Sequence, residues 1–130
     1  MTVLVDHDLE GDARRIWGVL TSEGWVELLS LRMTTFMDEG LPLNSTDRQV
    51  WRYAQTNRML LLTGNRNMTG DDSLEQTIRD ENTPTSLPTV TIASMERLPE
   101  SGYRTRCAHR LAEFAAYLEQ YLGVGRLFIP

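Results

Sequence analysis

Short apolar runs alternate with amphipathic stretches along this chain of 130 residues. The runs are rich in β-branched, aliphatic or aromatic residues, and each has the length of one buried strand. The pattern predicts four strands, at residues 2–6, 25–29, 59–63 and 89–93. A further apolar run at residues 126–129 could add a fifth strand.

The intervals between these runs show the spacing of amphipathic helices. The first helix is predicted to have Asp12 as its N-cap and Gly24 just past its end. A capping-box pattern predicts a helix over residues 46–57, and a second capped start predicts a short helix that ends near Asn82. Residues 30–45 are less regular, and we expect them to pack on the body of the protein, where they could cover a cleft.

The last predicted helix is the longest and ends at Gly123. One apolar seam runs along it at alternating spacings of four and three residues, so it packs on the sheet or on a partner. The seam consists of Cys107, Leu111, Phe114, Leu118 and Tyr121. A buried, inert thiol is the expected state of Cys107, the one cysteine of the chain.

Strands that alternate with helices predict an α/β fold. We expect one domain over residues 1–130, with a three-layer α/β/α arrangement and a mostly parallel sheet of four or five strands. No apolar run approaches the roughly 18 residues that a membrane helix needs, and no signal peptide opens the chain, so a cytoplasmic protein is predicted. The net charge of −5 argues against indiscriminate binding of nucleic acid, although a local basic patch could still contact it.

Polar residues follow two of the predicted strands. Asp6 ends the first strand, and the stretch from Thr63 to Asn67 follows the third. Ligands of parallel sheets bind beyond the carboxyl ends of the strands, so we expect these residues at one edge. Gly64 allows close approach of a ligand, and Arg66 could contact a phosphate. Both stretches could equally be turns held by side chains that bond to backbone amides.

Three motifs together resemble the PIN-domain superfamily, in particular its small PIN-like members. They are Leu4-Val5-Asp6-His7-Asp8, Ser45-Thr46-Asp47-Arg48-Gln49-Val50-Trp51 and Leu61-Leu62-Thr63-Gly64-Asn65-Arg66-Asn67. Their order and spacing fit over residues 2–95. The resemblance implies a metal-dependent ribonuclease that uses Mg²⁺ or Mn²⁺, as in many toxins of toxin–antitoxin pairs, with RNA as substrate and a cognate antitoxin as partner.

The resemblance also implies roles for individual residues. Asp6, Asp47 and Asn65 would form the catalytic group, with Thr63 beside them. PIN nucleases usually have aspartate where this chain has Asn65, which supplies an oxygen but no charge. Asp47 also has a purely structural explanation, because a carboxylate in the first turn of a helix is stabilised by the backbone amides.

A hard divalent cation takes oxygen ligands, commonly one or two carboxylates with waters and a substrate phosphate. Asp6 and Asp47 could therefore hold one ion, and a second ion would need more negative charge nearby. Asp8 and Asp72 are the further metal-ligand candidates, although Asp72 is also explained by its place just before a helix.

Substrate contacts are predicted from Thr63, Arg66 and Asn67, and from Arg106 and Arg110, which lie four residues apart on the last helix. The arginines could instead be ordinary solvated charge. Two other interpretations stay open. One is a PIN-like binding module that has lost strong metal affinity through Asn65, and the other is a homodimer that pairs through the apolar seam and the last strand.

Overall fold

The computed structural model describes residues 1–64 and 70–130 of the chain. Its centre is one five-stranded sheet in which all neighbouring strands run parallel, in the order β2-β1-β3-β4-β5. The strands are β1 (Thr2–Val5), β2 (Arg32–Thr34), β3 (Met59–Thr63), β4 (Thr89–Ile92) and β5 (Arg126–Ile129).

Helices cover both faces of the sheet, which confirms the three-layer α/β/α prediction. The described residues form the α-helices α1 (Glu10–Ser22), α2 (Trp25–Leu28), α3 (Phe36–Glu39), α4 (Asp47–Thr56), α5 (Leu74–Glu81) and α6 (Ser101–Ala116). Three 3₁₀ turns lie at His7–Leu9, Met95–Arg97 and Leu118–Tyr121. No helix in the described ranges is long and apolar enough to cross a bilayer.

Alternation along the strands divides the buried residues into two cores. Val3 and Leu60 belong to the core under α1 and α6, whereas Leu4 and Leu61 belong to the core under α4 and α5. Successive side chains of a strand point to opposite faces, so unbroken apolar runs are what a sheet covered on both sides requires. The near-continuous hydrophobicity of β1 and β3 follows from this position.

Local hydrogen bonds begin the two helices that flank the third strand. The Thr46 hydroxyl accepts from the Gln49 amide at 3.1 Å, and the Gln49 side chain accepts from the Thr46 amide at 2.8 Å. This is the predicted capping box. Ser73 caps α5 in a similar way by accepting from the Gln76 amide at 3.1 Å.

The prediction of a strand at residues 25–29 is wrong. Gly24 has a left-handed backbone with φ of 84°, and a short helix follows it directly. The second strand comes later, at the edge of the sheet, inside the segment expected to be irregular. Asp12 is not the N-cap of α1 either, because the 3₁₀ turn after Asp6 leads into the helix at Glu10.

The apolar seam of the last helix faces the chain's own core. Cys107, Leu111 and Phe114 are completely buried there. The α-helix ends at Ala116, before the predicted end, and the seam continues in the 3₁₀ turn that follows. Burial raises the pKa of the Cys107 thiol to about 11, so the thiol stays protonated near neutral pH, as expected for an inert cysteine.

Leu4 provides a test of the core between the sheet and α4. Its side chain is completely buried, so Leu4→Ala should lower the free energy of unfolding by about 2–5 kcal/mol. Leu28→Ala is the control, because Leu28 is 72% exposed and should change stability by less than about 0.5 kcal/mol. Urea unfolding of both variants measures the difference, and equal stability losses would contradict this packing.

Candidate functional site

A cavity of about 500 Å³ opens at the carboxyl ends of β1 and β3. The chain leaves β1 toward β2 on one side and later enters β3 on the other, so the strand order reverses between these two strands. Parallel α/β sheets bind ligands at this kind of switch point. The residues that line the cavity are Asp6, His7, Asp8, Leu9, Phe36, Leu43, Ser45, Asp47, Val50, Leu61, Thr63, Gly64, Leu74 and Met95.

Asp6 is held at the centre of this edge by the strand pairing itself. Its amide donates to the Leu62 carbonyl at 2.9 Å, so the β1–β3 ladder continues one residue beyond β1. The buried Thr63 hydroxyl then donates to the Asp6 carboxylate at 2.6 Å. The Asp6 carbonyl accepts from the Leu9 amide, which begins the 3₁₀ turn. Asp6 is therefore fixed through its backbone and its side chain.

The pKa of Asp6 is raised above its ordinary value of 3.8. Burial is the main cause, and the negative charges of Asp8 and Asp47 raise it further. Hydrogen bonds from the Thr63 hydroxyl and the His7 amide act in the opposite direction. Burial and the charges of Asp8 and Asp47 thus disfavour the ionised form of Asp6, which favours uptake of a proton or a cation there.

Asp47 reaches the cavity from the first turn of α4. Its carboxylate accepts from the Leu74 amide at 3.2 Å, at the start of α5. Asp47 therefore satisfies a backbone donor of one helix while it sits in the first turn of another. The predicted place of Asp47 in the first turn of a helix is confirmed, and the same side chain also lines the cavity.

His7 and Asp8 lie in the 3₁₀ turn after Asp6, and both line the cavity. His7 Nδ1 lies 3.7 Å from Glu10 Oε1, and its ring centroid lies 6.4 Å from that of Phe36. Asp8 is exposed at the same edge. The turn thus places one imidazole and one carboxylate beside Asp6.

Apolar side chains form part of the cavity wall, and the sequence arguments did not assign them to the site. Phe36, Val50, Leu61 and Leu74 are buried members of the core under α4 and α5. Phe36 comes from the segment expected to cover a cleft. The hydroxyls of Thr34 and Tyr53 hold α3 in place, since both donate to Glu39, at 2.6 and 2.7 Å.

Gly64 lies close to Met95 where β3 leaves the sheet. A methyl group added to its backbone would lie 2.6 Å from the Met95 sulfur, which is too close for an undisturbed contact. Met95 belongs to the 3₁₀ turn after β4 and lines the cavity together with Gly64. The lack of a side chain at Gly64 therefore leaves room for the Met95 side chain, whereas the close approach of a ligand stays a prediction.

Asp72 does not join the other carboxylates. Its side chain is 58% exposed and lies 3.0 Å from Arg48 Nε, and it is not among the residues that line the cavity. The predicted ligand role of Asp72 thus competes with an ion pair that the sequence did not indicate. Three other predicted site residues, Asn65, Arg66 and Asn67, lie outside the described residues.

Arg106 and Arg110 lie on α6, against the opposite face of the sheet from α4, and neither lines the cavity. Arg106 stacks over the Tyr103 ring at 5.7 Å, and Arg110 pairs with Glu113 at 2.5 Å. The neighbouring His109 contacts Glu23 at 2.7 Å, just after the end of α1. Because α1 starts at the Asp6 edge and runs away from it, Arg110 lies toward the other edge of the sheet.

Oxygen donors dominate the polar side of the cavity. The carboxylates of Asp6, Asp8 and Asp47 and the hydroxyls of Ser45 and Thr63 are the ligand types that Mg²⁺ and Mn²⁺ prefer. Across residues 1–64 and 70–130, no group of three or more His, Cys, Asp or Glu side chains has a geometry that holds a metal ion. Protein sites for Mg²⁺ often use only one or two carboxylates, with waters and a phosphate as further ligands.

Comparisons with protein-family models, with curated proteins and with solved structures give no match. The PIN-like interpretation of this chain therefore stays a prediction from its sequence motifs. The three-layer fold and the position of the cavity do not depend on this interpretation, because they are observed in the structure itself.

The pKa of Asp6 provides a direct test of the site geometry. Asp47→Asn should lower this pKa because it removes a neighbouring negative charge, whereas Thr63→Val should raise it because it removes a hydrogen-bond donor. Carboxyl ¹³C NMR titration of the metal-free protein measures both shifts. Glu119→Gln is the control, since this exposed residue lies far along the chain and does not line the cavity. Shifts of the same sign in the two site variants would refute the arrangement.

Asp6 should also make stability depend on pH. The folded state keeps the Asp6 proton above pH 3.8, where the unfolded state loses it, so stability falls as pH rises from 3.8 through the folded pKa. Asp6→Asn removes this loss, and its amide oxygen can still accept from Thr63. The stability of this variant relative to wild type should grow across that window and level off above it. Chemical denaturation at several pH values checks this, and a difference that does not grow with pH would contradict it.

Proposed function

We propose that this chain is a PIN-like, metal-dependent ribonuclease whose site is the cavity between β1 and β3. The observation that supports this best is the convergence of Asp6, Asp8 and Asp47 on one cavity at the switch point of a parallel sheet. The charges of Asp8 and Asp47 disfavour the ionised form of Asp6, and positive charge at this edge would stabilise it. A divalent cation with a bound phosphate would supply that charge.

Asp6 and Asp47 are the proposed ligands of Mg²⁺ or Mn²⁺, and Asp8 is a further carboxylate at the rim. Such an ion, when bound, polarises the scissile phosphate and activates a water for in-line attack. Thr63 fixes the Asp6 carboxylate in one orientation through its hydrogen bond of 2.6 Å. The Leu74 amide does the same for Asp47, at 3.2 Å. Preorganised ligands of this kind need little rearrangement when they bind.

The substrate is proposed to be RNA, with its scissile phosphate at the carboxylates and the neighbouring nucleotide against the apolar wall. Arg66 and Asn67 come two and three residues after the cavity residue Gly64 in the sequence, so they are the proposed phosphate contacts. Arg106 and Arg110 lie outside the cavity and would contact only more distant parts of an RNA. A toxin–antitoxin role with an antitoxin partner, in the cytoplasm, follows from the same resemblance and is proposed with it.

A second candidate is a PIN-like binding module with weak metal affinity. Two observations favour it, namely the asparagine at position 65 and the engagement of Asp72 with Arg48. Both reduce the negative charge that is free to bind a second cation. Such a module would still bind RNA or a protein partner at the same edge, without turnover.

Mn²⁺ titration by calorimetry, together with cleavage of a labelled single-stranded RNA, tests the enzyme. Wild type should bind Mn²⁺ and cleave the RNA, and Asp6→Asn should abolish both activities while its metal-free fold stays intact. Asp47→Asn should weaken binding by about 10-fold or more, since it removes a charged ligand. Glu119→Gln makes the same change of charge outside the cavity and should behave as wild type.

Two results would overturn or redirect the proposal. Undetectable Mn²⁺ binding by wild type at millimolar metal would sink the nuclease. If wild type binds the metal and retains RNA in a filter-binding assay but does not cleave it, the binding module is favoured instead.

A further inference from the structure

Arg48 is a largely buried cation with several hydrogen-bond partners. It lies in the first turn of α4, next to Asp47, and its side chain is only 15% exposed. Its guanidinium donates to four oxygen atoms of α5 and the segment before it. These are Asp72 Oδ1 at 3.0 Å, the Asp71 carbonyl at 2.5 Å, Asp80 Oδ2 at 2.9 Å and Glu81 Oε2 at 2.5 Å.

These contacts tie both ends of α5 to the start of α4. Asp71 and Asp72 precede the N-cap Ser73, while Asp80 and Glu81 lie in the last turn of the helix. One planar guanidinium with several donors can bridge such separated acceptors, whereas a lysine ammonium is a single point charge. Arg48 thus joins both ends of α5 to α4 through one side chain.

The same helix start carries a hydrogen-bond donor to Asp47. The Leu74 amide is the first of α5, and it donates to the Asp47 carboxylate at 3.2 Å. The Leu74 side chain is 2% exposed and forms part of the cavity wall. A shift of α5 would therefore move both the hydrogen-bond donor of Asp47 and one side of the cavity.

We propose that Arg48 is a positioning residue for the site: it clamps α5 so that the Leu74 amide holds the Asp47 carboxylate toward Asp6. The expected effect of Arg48 on metal binding rests on the function proposed above, but its positioning of α5 and Asp47 does not. Arg48 itself does not line the cavity. Arg48 also pairs with Asp72, which explains why that residue stays away from the other carboxylates.

Arg52 offers a matched control on the same helix, one turn further along. It pairs with Glu81 at 2.7 Å, and its side chain is 59% exposed. Within the described part of the chain and unlike Arg48, it forms no hydrogen bond with residues 71, 72 or 80. Arg48→Gln and Arg52→Gln change the net charge equally. More negative charge near the site would by itself strengthen cation binding, so weaker binding in one variant cannot come from charge alone.

Amide hydrogen exchange at Leu74, in metal-free protein, reads the positioning directly. Arg48→Gln should speed this exchange by about 10-fold or more, relative to the central-strand amides of β3, while Arg52→Gln leaves it unchanged. This readout does not require any metal or activity. Equal protection of Leu74 in both variants would overturn the proposal.

Mn²⁺ affinity gives the second readout. Arg48→Gln should bind Mn²⁺ about 10-fold more weakly than Arg52→Gln, as expected when the group that orients a metal ligand is lost. Faster Leu74 exchange with equal affinities in the two variants would also overturn the proposal. If wild type itself binds no Mn²⁺, the proposed function fails, and the exchange result still decides whether Arg48 positions Asp47.

A gentler variant covers the case in which Arg48→Gln does not fold. The double change Asp72→Asn and Asp80→Asn keeps Arg48 and removes two of its charged partners. It should loosen the Leu74 amide in the same direction, by a smaller factor. Unchanged exchange in a folded double variant would count against the clamp.

Discussion

Parallel pairing of β1 with β3 is the constraint on which the site depends. Val5 lies opposite Leu62, and the next amide, that of Asp6, continues the ladder to the Leu62 carbonyl at 2.9 Å. This register places Asp6 beside Thr63, so that two residues 57 positions apart share a hydrogen bond of 2.6 Å. A slip by one residue would turn Thr63 to the other face of the sheet and separate them.

The site combines groups that the fold holds in place with a charge that the fold does not balance. Burial and two neighbouring carboxylates raise the pKa of Asp6, so its ionised form is disfavoured in the metal-free protein. Asp47 is stabilised in a different way, by its place in the first turn of α4 and by the Leu74 amide. A bound divalent ion would remove this penalty on the ionised Asp6, since such an ion favours the ionised carboxylates.

The sequence predicted what depends on local pattern and missed what depends on distant contacts. The capping box at Thr46 and the buried runs of the central strands have local signals, and both predictions are confirmed. The short apolar run at residues 25–29 fits a strand or a helix equally well. In the structure it forms a short helix that directly follows the left-handed Gly24. The Arg48–Asp72 pair joins residues 24 positions apart, so no spacing rule could have shown that Asp72 was engaged.

Paramagnetic broadening of amide NMR signals by substoichiometric Mn²⁺ tests most directly whether this edge is the cation site. The geometry predicts that broadening centres on the amides of His7, Gly64 and Leu74, which surround the cavity from three different parts of the chain. Broadening centred instead on the acidic end of α5, near Asp80 and Glu81, or spread evenly over the acidic surface, would contradict the account.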